Sequence, residues 1–218
     1  TDIKKSYFGE TASEGQAISG ILGYAVHGKN QVTNDYIYID VNGDGTISLP
    51  EDAAVISISQ PKWFASLINN IKFNDFNVDL VIEARSQQLL NPSFYSFDSN
   101  LPGRFPFGGL SNHSVELMEP WMVKFFGTGP SAIKMLNAVK QSSIMYGNAS
   151  YINLSSLKFS YRIPLHKIPK RILTAATVYS EIQNACTISK YKFADPLVAS
   201  PNAMPTLRSI IFGIQITP

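Results

Sequence analysis

The sequence predicts an all-β protein with two short helices, and three observations predict it. Short apolar and aromatic runs recur along the chain with Gly, Pro, Asn and Asp between them. Several of these runs alternate apolar and polar residues with the period of a half-buried strand. Tyr, Phe, Ile and Val fill them, and their bulk packs well against cross-strand neighbours on a pleated surface.

In chain order the expected strands are Ala17–His27, Tyr36–Asp40, Ala53–Ser59, Phe76–Ala84, Ser93–Phe97 and Ser114–Phe126, then Tyr151–Ile163, Ile172–Tyr179, Ala185–Phe193 and Thr206–Thr217. Alternation is cleanest where Leu157, Phe159, Tyr161 and Ile163 interleave with Lys158, Ser160 and Arg162. It is softened by Val81 in the run Val78–Glu83. Pro61 stands at a good first-turn position, so the apolar stretch through Ile68 reads as a helix. A second helix is expected from about Ser131 to Ile144, with Ile133, Leu136 and Val139 on one stripe. The segment Leu101–Gly109, where Pro and Gly surround aromatics, divides the chain into two expected β-barrels, 1–105 and 106–218, each with one short helix.

The 218 residues are 44% hydrophobic, enough for a sizeable core in one large domain or two smaller ones. Only 16% are charged, below the roughly 25% of an ordinary soluble domain. Such a surface suits a protein packed against copies of itself, and also a secreted or surface protein. The net charge of +2 divides unevenly: residues 1–109 hold 7 Lys/Arg against 12 Asp/Glu, residues 110–218 hold 11 against 4. That split favours ordered association of an acidic half with a basic one. It could also turn a basic face toward lipid or nucleic acid, with His166-Lys167-Ile168-Pro169-Lys170-Arg171 as the densest patch. The bland alternative for that patch is a solvated turn.

Cys186 is the single cysteine, so no disulfide can form within the chain, and a buried structural thiol is expected. The lone thiol argues for assembly inside the cell. No run approaches 18 apolar residues, so no membrane span is expected, and the first twenty residues lack the pattern of a signal peptide.

The most specific motif is Asp40-Val41-Asn42-Gly43-Asp44-Gly45-Thr46-Ile47-Ser48-Leu49-Pro50-Glu51, which matches the EF-hand calcium loop at every ligand position. Asp40, Asn42 and Asp44 offer side-chain oxygens, Thr46 its carbonyl, Ser48 a direct or water-borne ligand, and Glu51 two closing oxygens. Gly45 allows the sharp turn. The strand-like Tyr36–Ile39 and the helix-breaking Pro50 replace the flanking helices of a sensor. The loop therefore resembles those grafted onto β structure, as in dockerin-like or integrin-repeat motifs. Ca2+ there is expected to staple a turn or an interface and to switch nothing.

No catalytic group stands out. His27, His113 and His166 lack partners at metal or triad spacing, and neither a phosphate loop nor a nucleophile elbow occurs. Glu116 and Glu119 read as solvated carboxylates. The expectation is a protein that is not an enzyme, with no catalytic or organic-cofactor site and no small-molecule substrate.

Low charge, many Asn and Ser, proline-punctuated strands, aromatic loops such as Phe105-Pro106-Phe107 and one cysteine together resemble the double jelly-roll major capsid proteins of membrane-containing icosahedral bacteriophages. That resemblance implies two jelly-roll barrels in tandem and a structural capsid protein of the virion. It also implies homotrimers that self-assemble into a shell, with calcium stiffening a loop or seam. The alternative is a secreted or cell-surface calcium-binding β-sandwich that recognises glycan or protein. In it Trp63 or Trp121 could stack on a sugar, although both read more naturally as core residues.

Overall fold

The computed structural model describes residues 5–7, 10–12, 19–32, 35–49, 51–91, 138–139, 141–164, 174–192, 194–199 and 203–217. Its elements are β1 (Lys5–Tyr7), β2 (Glu10–Ala12), β3 (Gly20–Tyr24), β4 (Val26–Lys29), β5 (Tyr36–Tyr38), β6 (Ala53–Ile58), β7 (Trp63–Phe73), β8 (Phe76–Ser86), β9 (Gln88–Leu90), β10 (Tyr146–Asn148), β11 (Tyr151–Ile163), β12 (Ala175–Ser189) and β13 (Ser209–Thr217). The all-β class holds.

One antiparallel sheet dominates, ordered β13-β12-β11-β8-β7. Four two-stranded ladders, β1-β2, β3-β6, β4-β5 and β9-β10, make up the rest. The large sheet takes β7 and β8 from before the segment 101–109 and β11 to β13 from after it. That segment itself lies outside the described residues.

Where a helix is expected from Pro61, the chain forms β7 instead. It pairs with β8 without interruption from Trp63↔Ser86 to Phe73↔Phe76. The physical reason lies in the residues beyond Ile68. Trp63, Ala65, Leu67, Ile71 and Phe73 fall on one face at period two, interrupted only by Asn69, and a cross-strand ladder outweighs the weak helical preference of the first turn. Of the second expected helix, residues 131–137 and 140 lie outside the described residues; 138–139 are helical and Ser143–Met145 form a 3-10 turn. The expected strands at 93–97 and 114–126 lie outside the described residues. The two expected strands 172–179 and 185–193 are one strand, β12, with Asn184 at φ 51° where its pairing is irregular.

The register shows how the sequence keeps one sheet face apolar. Leu154 and Leu157 are an odd number of residues apart and would point to opposite faces of a regular strand. A bulge between Leu154 and Ser156 absorbs the extra residue, so that Leu154 faces Ile82 and Leu157 faces Leu80. One face then carries Leu67 and Ile71 of β7, Val78 and Leu80 of β8, Leu157 and Phe159 of β11, Val178 and Ile182 of β12, and Ile210, Phe212, Ile214 and Ile216 of β13. The other carries Asn70, Asp79, Glu83, Arg85, Lys158, Arg162, Thr177, Glu181 and Gln215, with Phe64, Ile68, Val81 and Ile211 among them.

Candidate functional site

Burial is inverted relative to a water-soluble sheet. The apolar face is open among the described residues: Phe73 is 72% exposed, Phe212 78% and Ile216 62%. The largest fully buried side chains are instead polar, Asn153, Asp52 and Ser142, beside the small apolar Ala149. Asn153 belongs to the polar face, where Thr187 donates to its Oδ1 at 3.1 Å. Trp63, expected in the core, is 54% exposed on the apolar face. Cys186, expected to be buried, is an exposed free thiol on that same face, opposite Leu154. Both corrections share one observation: around Trp63 and Cys186 the apolar face is exposed among the described residues.

Aromatic side chains mark the two ends of the apolar face. Trp63 starts β7 at one end. At the other, Phe73 and Phe76 pair across the tight turn, and the Phe76 ring lies 4.7 Å from that of Tyr161. The polar face is linked laterally. Asn70 donates to Asn77 Oδ1 at 2.9 Å and also to Asp79, Ser156 donates to Glu181 at 3.2 Å, and Lys158 Nζ sits 4.5 Å from the centre of the Tyr179 ring. Tyr179 in turn covers Gly213, where a Cβ would meet its ring carbon at 2.4 Å.

The loop Asp40–Glu51 joins β5 to β6 and folds as a chain of side-chain-to-amide turns. Asp40 accepts from the Gly43 and Gly45 amides at 2.6 and 2.8 Å, Asn42 from the Asp44 amide at 3.0 Å, and Asp44 from the Thr46 amide at 2.7 Å. Gly43 and Gly45 take φ of 77° and 81°, which favours residues without a Cβ. Near the exit, Ser48 donates its hydroxyl to Glu51 at 2.9 Å. The residues expected to bind calcium thus fall into an Asp40-Asn42-Asp44-Thr46 turn and a Ser48-Glu51 pair. Among the described residues no three His, Cys, Asp or Glu side chains gather closely enough to hold a metal ion.

Asp52, one residue past the motif, ties the two parts together and was missed in the sequence. Its Oδ1 accepts from the Val41 amide at 2.8 Å and its Oδ2 from the Ser48 amide at 2.7 Å, with the Asn42 amide at 3.4 Å. It is 0% exposed. The Ser48 amide, joined by those of Val41 and Asn42, outweighs burial and holds its carboxyl below the ordinary carboxylate range. A second acid of this kind, Asp195, organises the connection between β12 and β13. Burial pushes it up, but the Thr206 hydroxyl and the Leu197 and Thr206 amides bring it below the ordinary range.

No family model matches the chain, and no curated protein does. Its likeness is to solved chains of a transport assembly. They are structures of the RagAB peptide importer: in the open-open state (TM-score 0.64, 19% identity, covering 90% of this chain and 22% of that one) and in the closed-closed state (0.61, 17%, 90% and 23%). The RagAB peptide transporter gives 0.61 at 19% identity over 90% and 22%. At such identity the likeness shows the fold, and the chain spans less than a quarter of the proteins it matches.

Proposed function

We propose that this chain is part of the wall of a membrane-spanning β-barrel that moves polar cargo of the peptide class. The observation that carries the reading is the two-faced sheet. Its strands run from 9 residues in β13 to 15 in β12, whereas a strand needs about 9–11 tilted residues to cross a bilayer. From Trp63 to Phe73 the strand rises about 33 Å, which at a tilt near 45° spans about 23 Å, close to the ~25 Å apolar band between the aromatic girdles of such barrels. An apolar outward face and a polar, charge-bearing inner face then follow from lipid on one side and water on the other. Likeness to chains of a peptide importer supports the cargo class.

Among the described residues β7 and β13 pair on one side only. Unpaired amides and carbonyls in hydrocarbon cost several kcal/mol each, so the wall continues into strands beyond these on both edges. That no described helix is long and apolar enough to cross a membrane has no bearing on strands.

The test is fractionation of the protein as cells make it. Retention in membranes through alkaline carbonate washing, with release by detergent, is the expected result. Release as a soluble trimer or shell would sink the reading and favour a jelly-roll capsid subunit, whose second sheet would have to cover the apolar face. Release as a small soluble species retained on a glycan column would favour the β-sandwich instead.

We also propose that calcium binds at Asp40, Asn42, Asp44, Thr46, Ser48 and Glu51 as a structural ion. The alternate oxygen donors, and the turn that Gly45 permits, support this. Asp44→Ala should abolish a calcium-dependent rise in melting temperature. Equal melting of the unaltered protein in calcium and in chelator would remove calcium from the account.

A further inference from the structure

The large sheet has unequal ends. At one, β7 and β8 are joined by Asn74 and Asp75 alone, with Asn74 at φ 52°, and β11 and β12 by residues 164–174. At the other, residues 87–150 connect β8 to β11 and residues 190–208 connect β12 to β13.

The small ladders gather at this second end. The Lys62 amide donates to the Ser86 carbonyl at 2.8 Å, and the Ser57 hydroxyl to Gln88 at 3.1 Å. The Val26 amide donates to the Ser143 hydroxyl at 3.1 Å, and Tyr191 donates its phenol to the Leu90 carbonyl. β3 to β6, β9, β10 and the described residues of the 40–51 loop and of the 190–208 connection therefore form a folded cap over one rim of the sheet.

Membrane-spanning β-barrels keep short turns on the inner side and long loops outside. Resting on the membrane reading above, we propose that the cap faces the cell exterior and the Asn74–Asp75 turn the interior. The Asp40–Glu51 loop is then displayed to the external medium. Calcium loops with dissociation constants of about 10⁻⁴–10⁻³ M work in that setting, because calcium there is plentiful.

Site-directed labelling of the full-length protein in living cells tests the orientation. With Cys186→Ser and any other cysteine removed, single variants Val32→Cys, Met204→Cys and Asp75→Cys are treated with a membrane-impermeant maleimide. Val32, between β4 and β5, is 94% exposed and Met204, in the 190–208 connection, 89%. These two report the cap from separate segments, so one misfolded hairpin does not decide the result.

The expected outcome is labelling of Val32→Cys and Met204→Cys in intact cells, with Asp75→Cys reacting at least about tenfold less until the membrane is permeabilised. Carbonate-resistant protein labelled at Asp75→Cys and not at the cap would overturn the orientation and leave the membrane reading standing. Equal labelling at all three positions in intact cells would also overturn it. Protein released by carbonate would defeat the membrane reading, and the orientation with it.

Discussion

The open sheet and the cap at its rim solve opposite problems with the same amino acids. In the sheet, apolar side chains point outward and the charges and amides are linked to one another across the polar face. In the cap, buried polar groups supply the order: Asp52 holds three amides, and Ser142 donates its hydroxyl to the Val139 carbonyl at 2.7 Å. Phe212 lies open at 78% exposed, while Asp52 is buried with its carboxylate satisfied by backbone amides. On the membrane reading proposed above, the contrast would place hydrocarbon beside the sheet and water around the cap.

The sharpest way to break that comparison is a charge on either face of one strand. Ile214 and Gln215 are neighbours on β13 and face opposite ways. Ile214→Arg should cost about 2–4 kcal/mol of folding stability in a bilayer and lower the membrane-inserted fraction, while Gln215→Arg should cost about 1 kcal/mol or less. Urea unfolding in lipid vesicles reads both. Equal tolerance at the two positions would mean that the apolar face does not meet lipid.

The next effect lies in the cap. A Cβ on Gly23 would sit 2.2 Å from the Gln141 carbonyl oxygen, a backbone atom that already accepts the Tyr24 amide at 2.8 Å. Gly23→Ala should destabilise the cap by about 1–3 kcal/mol, the usual cost of overpacking. Amide exchange should quicken around β3 and β6 before it changes in β11. If β11 loosens equally, cap and sheet are one cooperative unit and the division between them is lost.

Asp52 offers a pH-dependent version of the same test. Its folded-state pKa lies below the ordinary value, so its contribution is present above the ordinary carboxylate range and is lost as pH falls through the lowered value. Acid should therefore loosen the Val41, Asn42 and Ser48 amides while the sheet keeps its exchange protection. Asp52→Asn should remove most of that acid dependence. Asp195 is lowered as well, so a residual acid response is expected at the Leu197 and Thr206 amides.

Much of the sheet was legible because alternation survives single-sequence reading: β11 spans Tyr151–Ile163, as its alternation of Leu157 to Ile163 with polar neighbours implies. What alternation could not say is what the apolar face meets. A strand packed on a core and a strand facing lipid carry the same period, and a window built for 18-residue helices is blind to both. Trp63 and Cys186 therefore read as core residues in the sequence and are exposed in the fold. The start of β7 resembles a helix because a proline and an apolar run make a plausible first helical turn, and only Ile71 and Phe73 reveal period two. Asp52 escaped because the calcium pattern ends at Glu51. Its signal is an acid at the first turn of a strand directly after an Asp/Asn/Gly loop, and only the fold shows the three amides it meets.

The smallest expected effect joins cap to sheet connection through one phenol. Tyr191 donates to the Leu90 carbonyl and so links the 190–208 connection to β9. Burial pushes its pKa from the ordinary 10.0 up to about 12. A raised value means that its contribution is complete below pH 10 and fades as pH climbs through about 12. Tyr191→Phe should cost about 0.5–1.5 kcal/mol, the net worth of one hydrogen bond, and quicken exchange at the neighbouring Asn91 and Tyr146 amides at neutral pH. It should leave membrane retention unchanged, because nothing on the apolar face is touched. Loss of membrane retention in this variant would show that the cap is needed to keep the sheet in the bilayer, and that the two regions do not stand apart.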